Sequence, residues 1–164
     1  VIGLEEIGPQ SQGYADFSRA LTEIMRHLAT EMVRDAEGAT KFVTITVTGA
    51  ATEAEAEACA KTIALSPLVK TALTGCDPNW GRIVSAAGYS AAQMDPEKMT
   101  LRINEVTVFE NGHPLPEALA DAERAMREPD VALDMALGAG DEQATVWTSD
   151  LSHEYVSINA EYTT

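Results

Sequence analysis

The sequence is short of cysteine, of basic residues and of long apolar runs, and each shortage excludes a class of protein. Its two cysteines, Cys59 and Cys76, are too few for a disulfide scaffold or a cysteine-built zinc site. No apolar run approaches the roughly 20 residues that a membrane-spanning helix needs. The first residues lack the basic flank of a signal peptide. These features predict a soluble, cytoplasmic domain.

The charge balance is strongly acidic. Lysine and arginine number 11 against 26 aspartates and glutamates, for a net charge of -15. Nucleic acids and anionic membranes repel such a chain, so neither is an expected partner. Of the 164 residues, 45% are hydrophobic, which is enough for one folded domain with a core and excludes wholesale disorder.

Residue periodicity predicts a helix, a strand and a second helix in the first half of the chain. Apolar residues recur every three or four positions over residues 14–33, as in an amphipathic helix. Residues 42–48 are rich in β-branched side chains that alternate with period two, as in a strand. Thr52 and Glu55 have the spacing of a capping box, so a helix is expected to begin there and run through Leu65.

Turn residues divide the second half into shorter elements. Pro67 favours the start of a short helix that ends at Gly75. Beyond it the sequence predicts a helix over 83–87, strands over 99–109, 131–137 and 144–147, a helix over 116–127, and a last helix over 153–159 capped by Ser152.

The order of these elements predicts a mixed α+β fold of the α/β class, in which helices cover a sheet containing hairpins. The later strands are joined by turns too short for parallel crossovers, which argues against a purely parallel sheet. Residues 1–13, punctuated by glycine and proline, are expected to form an irregular leading segment. Residues 14–164 are expected to form a single α/β domain.

Common catalytic and metal-binding motifs are absent from the sequence. It contains no GxGxxG, Walker A or GxSxG pattern, and no second histidine follows His153 to complete HExxH, so no metal site is expected. His27 and His113 lie far apart and are expected to be structural. Cys59, among alanines, is expected to pack in the core, whereas Cys76 could be either reactive or a small buried residue.

Three polar segments allow both a structural and a functional interpretation. Residues 35–41 (DAEGATK) could be a solvated connection with Asp35 and Lys41 facing water. They could also be a loop whose Gly38 and Ala39 let a ligand approach the backbone. Residues 77–82 (DPNWGR) could be a turn held by side-chain bonds of the aspartate. Residues 159–164 (NAEYTT) could be a frayed tail.

Together with residues 66–72 (SPLVKTA), the three segments resemble, in order and separation, the ornithine acetyltransferase or ArgJ family. The chain is similar to the C-terminal part of that family's β subunit. The resemblance implies a DmpA/ArgJ-like fold and an enzyme of two subunits, made by self-cleavage of one precursor. It implies an acyltransferase of arginine biosynthesis that passes the acetyl group of N2-acetyl-L-ornithine to L-glutamate.

The resemblance also implies a ping-pong reaction on a threonine that begins the β subunit within an Ala-Thr-Met-Leu sequence. No Ala-Thr pair of this chain is followed by Met-Leu, so no catalytic residue is expected here. The chain is expected to be a fragment that works only with the nucleophile segment and the α subunit, in an α2β2 or larger assembly. No cofactor is implied, although some members accept acetyl-coenzyme A as a substrate.

Three substrate-binding residues carry over from the family by position: Glu37, Asn159 and Thr164. A carboxylate at Glu37 can pair with the ammonium group of ornithine or glutamate. The amide of Asn159 can both donate and accept hydrogen bonds. The conspicuous Asp77, Asn79 and Arg82 receive no role from the resemblance.

Two other functions remain open at the level of sequence. A non-catalytic acidic binding or assembly domain is compatible with the composition and with the missing nucleophile. A related self-cleaving aminopeptidase is compatible with the fold, although Glu37 and Asn159 fit an amino-acid substrate better.

Overall fold

The computed structural model describes residues 8–161. Six strands form one sheet in the order β4-β3-β2-β5-β1-β6. The elements along the chain are α1 (Gln12–Arg34), β1 (Phe42–Ala50), α2 (Glu53–Leu65), α3 (Pro67–Thr74), α4 (Trp80–Gly88), β2 (Thr100–Ile103), β3 (Val106–Glu110), β4 (His113–Pro114), a 3-10 turn (Pro116–Ala118), α5 (Leu119–Ala125), β5 (Asp130–Ala136), β6 (Glu142–Ser149) and α6 (His153–Glu161).

The sheet is mixed, as predicted. Strands β1 and β5 run parallel, whereas β6 pairs antiparallel with the other side of β1. Strands β5, β2, β3 and β4 pair antiparallel in succession. Strands β2, β3 and β4 are joined in succession by hairpins, whereas helices lie between β1 and β2 and between β4 and β5.

Helix boundaries follow local capping chemistry. Helix α1 begins at Gln12, two residues before the predicted start, because the side chain of Ser11 accepts a hydrogen bond from the Tyr14 amide. Thr52 caps α2 through the amide of Glu55, as the capping box predicts. Residues 1–7 of the expected leading segment, and Thr164, lie outside the described residues.

The prediction of one strand over residues 99–109 is wrong, because the chain turns at Asn104. Asn104 has a φ of 51°, a conformation that asparagine tolerates better than most residues. Its side chain stabilises the turn by donating to the carbonyl of Ala125 and accepting from the amide of Ala132. Two short strands, β2 and β3, result.

The core lies between one face of the sheet and the helices that cover it. Val43, Ile45 and Val47 alternate on this face of β1 and are completely buried. Cys59 of α2 is also completely buried, which confirms that it packs in the core, and burial raises the pKa of its thiol. None of the helices in the described part of the chain is long and apolar enough to cross a membrane.

Candidate substrate-binding site

The loop that carries Glu37 makes a tight reversal between α1 and β1. Gly38 has a φ of +66°, which glycine adopts without steric cost. A Cβ atom at Gly38 would lie 2.5 Å from the backbone nitrogen of Tyr155, in the first turn of α6. The close approach at this glycine is therefore made by the chain's own last helix, not by a ligand as the sequence suggested.

The structure brings Glu37 and Asn159 together, although they are 122 residues apart in sequence. The Asn159 side-chain Nδ2 donates to a carboxylate oxygen of Glu37 over 3.2 Å and to the carbonyl of Tyr155 over 2.9 Å. Both side chains are exposed. Two of the three predicted substrate-binding residues thus present a carboxylate and an amide side by side to solvent, and a carboxylate so placed can accept from an ammonium group.

A buried aspartate, Asp150, joins the segments on either side of this pair. It is 4% exposed, and its carboxylate accepts hydrogen bonds from the amide and hydroxyl of Thr40, over 2.8 and 2.6 Å. It also accepts from the amide of Lys41 over 3.0 Å and from the hydroxyl of Thr74 over 2.9 Å. The end of the Glu37 loop, the end of α3 and the segment leading into α6 therefore meet at one carboxylate.

The hydrogen bonds keep Asp150 ionised despite its burial. Burial alone would raise its pKa, because a charged group loses hydration inside a protein. The hydrogen bonds from Thr40, Lys41 and Thr74 stabilise the charged form and outweigh burial, so the pKa of Asp150 lies below its ordinary value. Burial lowers the pKa of Lys70, and the nearby negative charge of Asp150 partly offsets this effect.

Two further side chains fasten the loop to its surroundings. Ser152 donates to the carbonyl of Gly38 over 2.5 Å and accepts from the amide of Tyr155, which confirms that it caps α6. Lys41 is only 8% exposed and donates to the carbonyls of Met126 and Glu128, over 2.6 and 3.4 Å. The expectation that Lys41 faces water is therefore wrong, whereas Asp35 of the same segment is exposed as expected.

Residues 77–82 form a structural turn at the start of α4. Asn79 caps the helix by accepting from the amide of Arg82 over 3.2 Å, and its Nδ2 donates to Asp77 over 3.0 Å. Trp80 stacks on Phe109 of β3 with ring centroids 5.4 Å apart. The Arg82 guanidinium donates to the carbonyl of Leu68, at the start of α3. These contacts account for the conspicuous residues of the segment without a substrate.

Sequence reasoning missed Asp150, Thr74 and Lys70, because nothing in the local sequence shows that Asp150 is buried or that the other two are partly buried near it. Beside them lies a hollow of about 300 Å³ between α3 and α6, whose lining includes Thr74 and Val156. Val156 precedes Asn159 by three residues on α6, but neither Glu37 nor Asn159 lines the hollow. Among residues 8–161, no three histidines, cysteines or acidic residues are grouped so that they could hold a metal ion.

The mixed sheet with its covering helices is the fold of a known class of biosynthetic proteins. Residues 3–164 match the model of the ArgJ family. The chain therefore belongs to the ArgJ family.

Individual relatives agree with this assignment. An arginine biosynthesis bifunctional protein ArgJ of Rhodopirellula baltica is 48% identical over 149 residues, which are 90% of this chain and 36% of that protein. A glutamate N-acetyltransferase of Methanothermobacter thermautotrophicus is 45% identical over 158 residues, which are 92% of this chain and 39% of that protein. The chain thus spans well under half the length of these curated relatives.

A solved structure confirms the fold. The crystal structure of arginine biosynthesis bifunctional protein ArgJ from Bacillus halodurans superimposes with a TM-score of 0.92 at 38% identity. The match covers 97% of this chain and 75% of that chain. The expectation of a mixed α+β, ArgJ-like fold is confirmed.

Proposed function

We propose that this chain is part of an ornithine acetyltransferase, a glutamate N-acetyltransferase that moves the acetyl group of N2-acetyl-L-ornithine to L-glutamate in arginine biosynthesis. Membership of the ArgJ family and the names of its relatives support the reaction class. The observation that carries the assignment to this site is the contact of Glu37 with Asn159, since both residues were expected to bind substrate.

In this proposal Glu37 and Asn159 bind the amino-acid substrate. The Glu37 carboxylate accepts from the substrate's ammonium group, and the Asn159 amide supplies a neutral hydrogen-bonding partner beside it. The bond from Asn159 orients the carboxylate without cancelling its charge. Thr164, the third residue implied by the family resemblance, stays a prediction.

The chemical step takes place on a threonine outside this chain. Its hydroxyl oxygen attacks the acetyl carbonyl of N2-acetylornithine, the carbon–nitrogen bond breaks, and ornithine leaves with the hydroxyl proton on its amine. The amine of glutamate then attacks the acetyl ester, and the threonine recovers its proton. In the proposed assembly the α subunit of the same precursor completes the site, in an α2β2 or larger oligomer. No cofactor takes part, acetyl-coenzyme A is a possible alternative donor, and the cytoplasmic location stays a prediction.

Intact-protein mass spectrometry of the full-length enzyme tests this proposal. Incubation with N2-acetylornithine alone should add one acetyl group to the threonine-bearing subunit and release ornithine. Addition of glutamate should remove that group and produce N-acetylglutamate. Cleavage of peptides without acetyl transfer would support the aminopeptidase instead, and neither reaction would support a non-catalytic domain.

A further inference from the structure

Helix α1 carries a long apolar stripe that the described residues leave uncovered. None of its 23 residues is buried. Its large apolar side chains are 43% to 76% exposed, and they are Tyr14, Phe17, Leu21, Ile24, Met25, Leu28 and Met32. They recur every three or four residues along a helix about 35 Å long, so they form one continuous face, which we call the α1 stripe. Contiguous apolar surface of this kind marks an interaction site.

The α1 stripe faces away from the chain's own sheet. Another side of the helix borders a hollow of about 350 Å³. This hollow is lined by Trp147 of β6 and by four polar residues of α1, which are Glu23, Arg26, His27 and Thr30. The polar residues of α1 thus lie toward the sheet, the reverse of what a helix covering its own core would show. The stripe cannot be explained as packing against β6.

The orientation of α1 is set at its C-terminal end. Arg34 forms a two-pronged ion pair with Asp130 of β5, over 2.5 and 3.2 Å. The same guanidinium lies 4.1 Å above the centre of the Phe42 ring, at the start of β1. The helix also belongs to the fold shared with the Bacillus halodurans structure, because that match covers 97% of this chain. Helix α1 is therefore part of the shared fold.

We infer that the α1 stripe is the docking surface for the part of the full-length protein that lies outside this chain, and that an apolar surface of that part covers it. This chain spans only 36% to 40% of the curated relatives, so more than half of a full-length protein is available as the occupant. The net charge of -15 disfavours a second copy of this chain or an anionic membrane, since both would bring like charges together.

This inference rests on family membership and on the uncovered helix, not on the acetyl-transfer reaction. It adds a contact surface to the proposed assembly, and it would hold for any activity of the full-length protein. Its test therefore uses a readout that does not depend on turnover.

Cysteine labelling in the native full-length protein tests the inference. Leu28→Cys and Met25→Cys place a thiol in the stripe, and Leu65→Cys places one on α2, where the leucine is 76% exposed. A bulky maleimide should modify the two stripe variants at least about 10-fold more slowly than Leu65→Cys, and all three should react alike in urea. The unsubstituted protein corrects for Cys59 and Cys76.

Equal labelling of stripe and control variants would overturn the inference. Protection that disappears on dilution, with a Leu28→Cys disulfide dimer forming on oxidation, would show that a second copy of α1 covers the stripe. Protection seen only with anionic vesicles would point to a membrane, and either result would also overturn it. Loss of acetyl transfer with the stripe still protected would count against the proposed function alone.

Discussion

Glu37 keeps its charge available because its partner in the structure is a neutral amide. A lysine or arginine in the place of Asn159 would neutralise the carboxylate before substrate arrives. The Asn159 amide instead donates one hydrogen bond over 3.2 Å and leaves the net negative charge in place. An exposed carboxylate held in this way is suited to select a cationic group from solvent.

Glu37→Gln in the full-length enzyme should weaken substrate binding while preserving shape. Loss of one charge-assisted hydrogen bond costs about 1.5–3 kcal/mol, so the affinity for substrate should fall about 10- to 150-fold. Glu110→Gln is the matched control, because Glu110 is an exposed glutamate on β3, three strand positions from β1. Steady-state constants for both half-reactions measure the effect, and equal values for the two variants would withdraw the assignment of Glu37.

Asp150→Asn should destabilise the fold and change its response to acid. Because the folded pKa of Asp150 is lowered, its ionisation stabilises the protein fully above the ordinary value of 3.8, and this contribution is lost as the pH falls from there through the folded pKa. The variant should lose about 1.5–3 kcal/mol at neutral pH and should show a flatter decline below pH 3.8. Thermal unfolding across this pH range measures both effects.

The control for Asp150 is Asp121→Asn, which alters an exposed aspartate paired with Arg124. Surface ion pairs contribute little, so this change should lower stability by less than about 1 kcal/mol. If the two variants lost stability equally and kept the same acid response, the four hydrogen bonds of Asp150 would not be what joins the segments.

At the scale of elements, the Glu37–Asn159 pair depends on how closely α6 approaches the loop after α1. Gly38 sets that approach, because its φ is positive and the Tyr155 backbone occupies the space of a Cβ atom. Ser152 bonds to the Gly38 carbonyl and caps α6 at the same point. Loop and helix are therefore positioned as one unit.

Gly38→Ala should move helix α6 away from the loop that carries Glu37. A left-handed alanine costs about 1–2 kcal/mol, and the clash with Tyr155 adds to it by pushing α6 away. Substrate affinity should fall together with stability, since Asn159 moves with the helix. Gly88→Ala is the control, because the added Cβ at this last residue of α4 would meet nothing beyond its own helix and immediate neighbours; it should leave substrate affinity unchanged and should not lower stability. Stability loss without any loss of affinity would show that α6 does not position the site.

Periodicity and capping residues predicted most elements, because those signals are local. The stretch over residues 14–33, the strand from Phe42 and the Thr52 capping box all correspond to observed elements. The turn at Asn104 was not predictable, since its bonds reach residues 21 and 28 positions away. The family resemblance supplied Glu37 and Asn159, but not Asp150, whose burial depends on a loop 110 residues earlier.

At the scale of the whole molecule, the uncovered stripe has to be considered together with the length of the chain's relatives. Periodicity correctly predicted an amphipathic α1, yet it could not show that the apolar face points away from the sheet. The exposed face indicates a docking surface once it is known that the chain spans only 36% to 40% of the length of its relatives. The 164-residue chain alone should therefore leave its stripe exposed to solvent and should not catalyse acetyl transfer.

Leu28→Asp should accordingly have opposite effects in the two contexts. In the isolated chain it places a charge on an exposed apolar face, so it should raise solubility, as the concentration at which the chain precipitates would show. In the full-length protein it places that charge in a buried contact, so it should lower the free energy of unfolding by at least about 2 kcal/mol. Leu65→Asp should change the full-length stability by no more than about 0.5 kcal/mol, as exposed sites usually do. Full-length protein that tolerated Leu28→Asp as well as Leu65→Asp would mean that nothing covers the stripe.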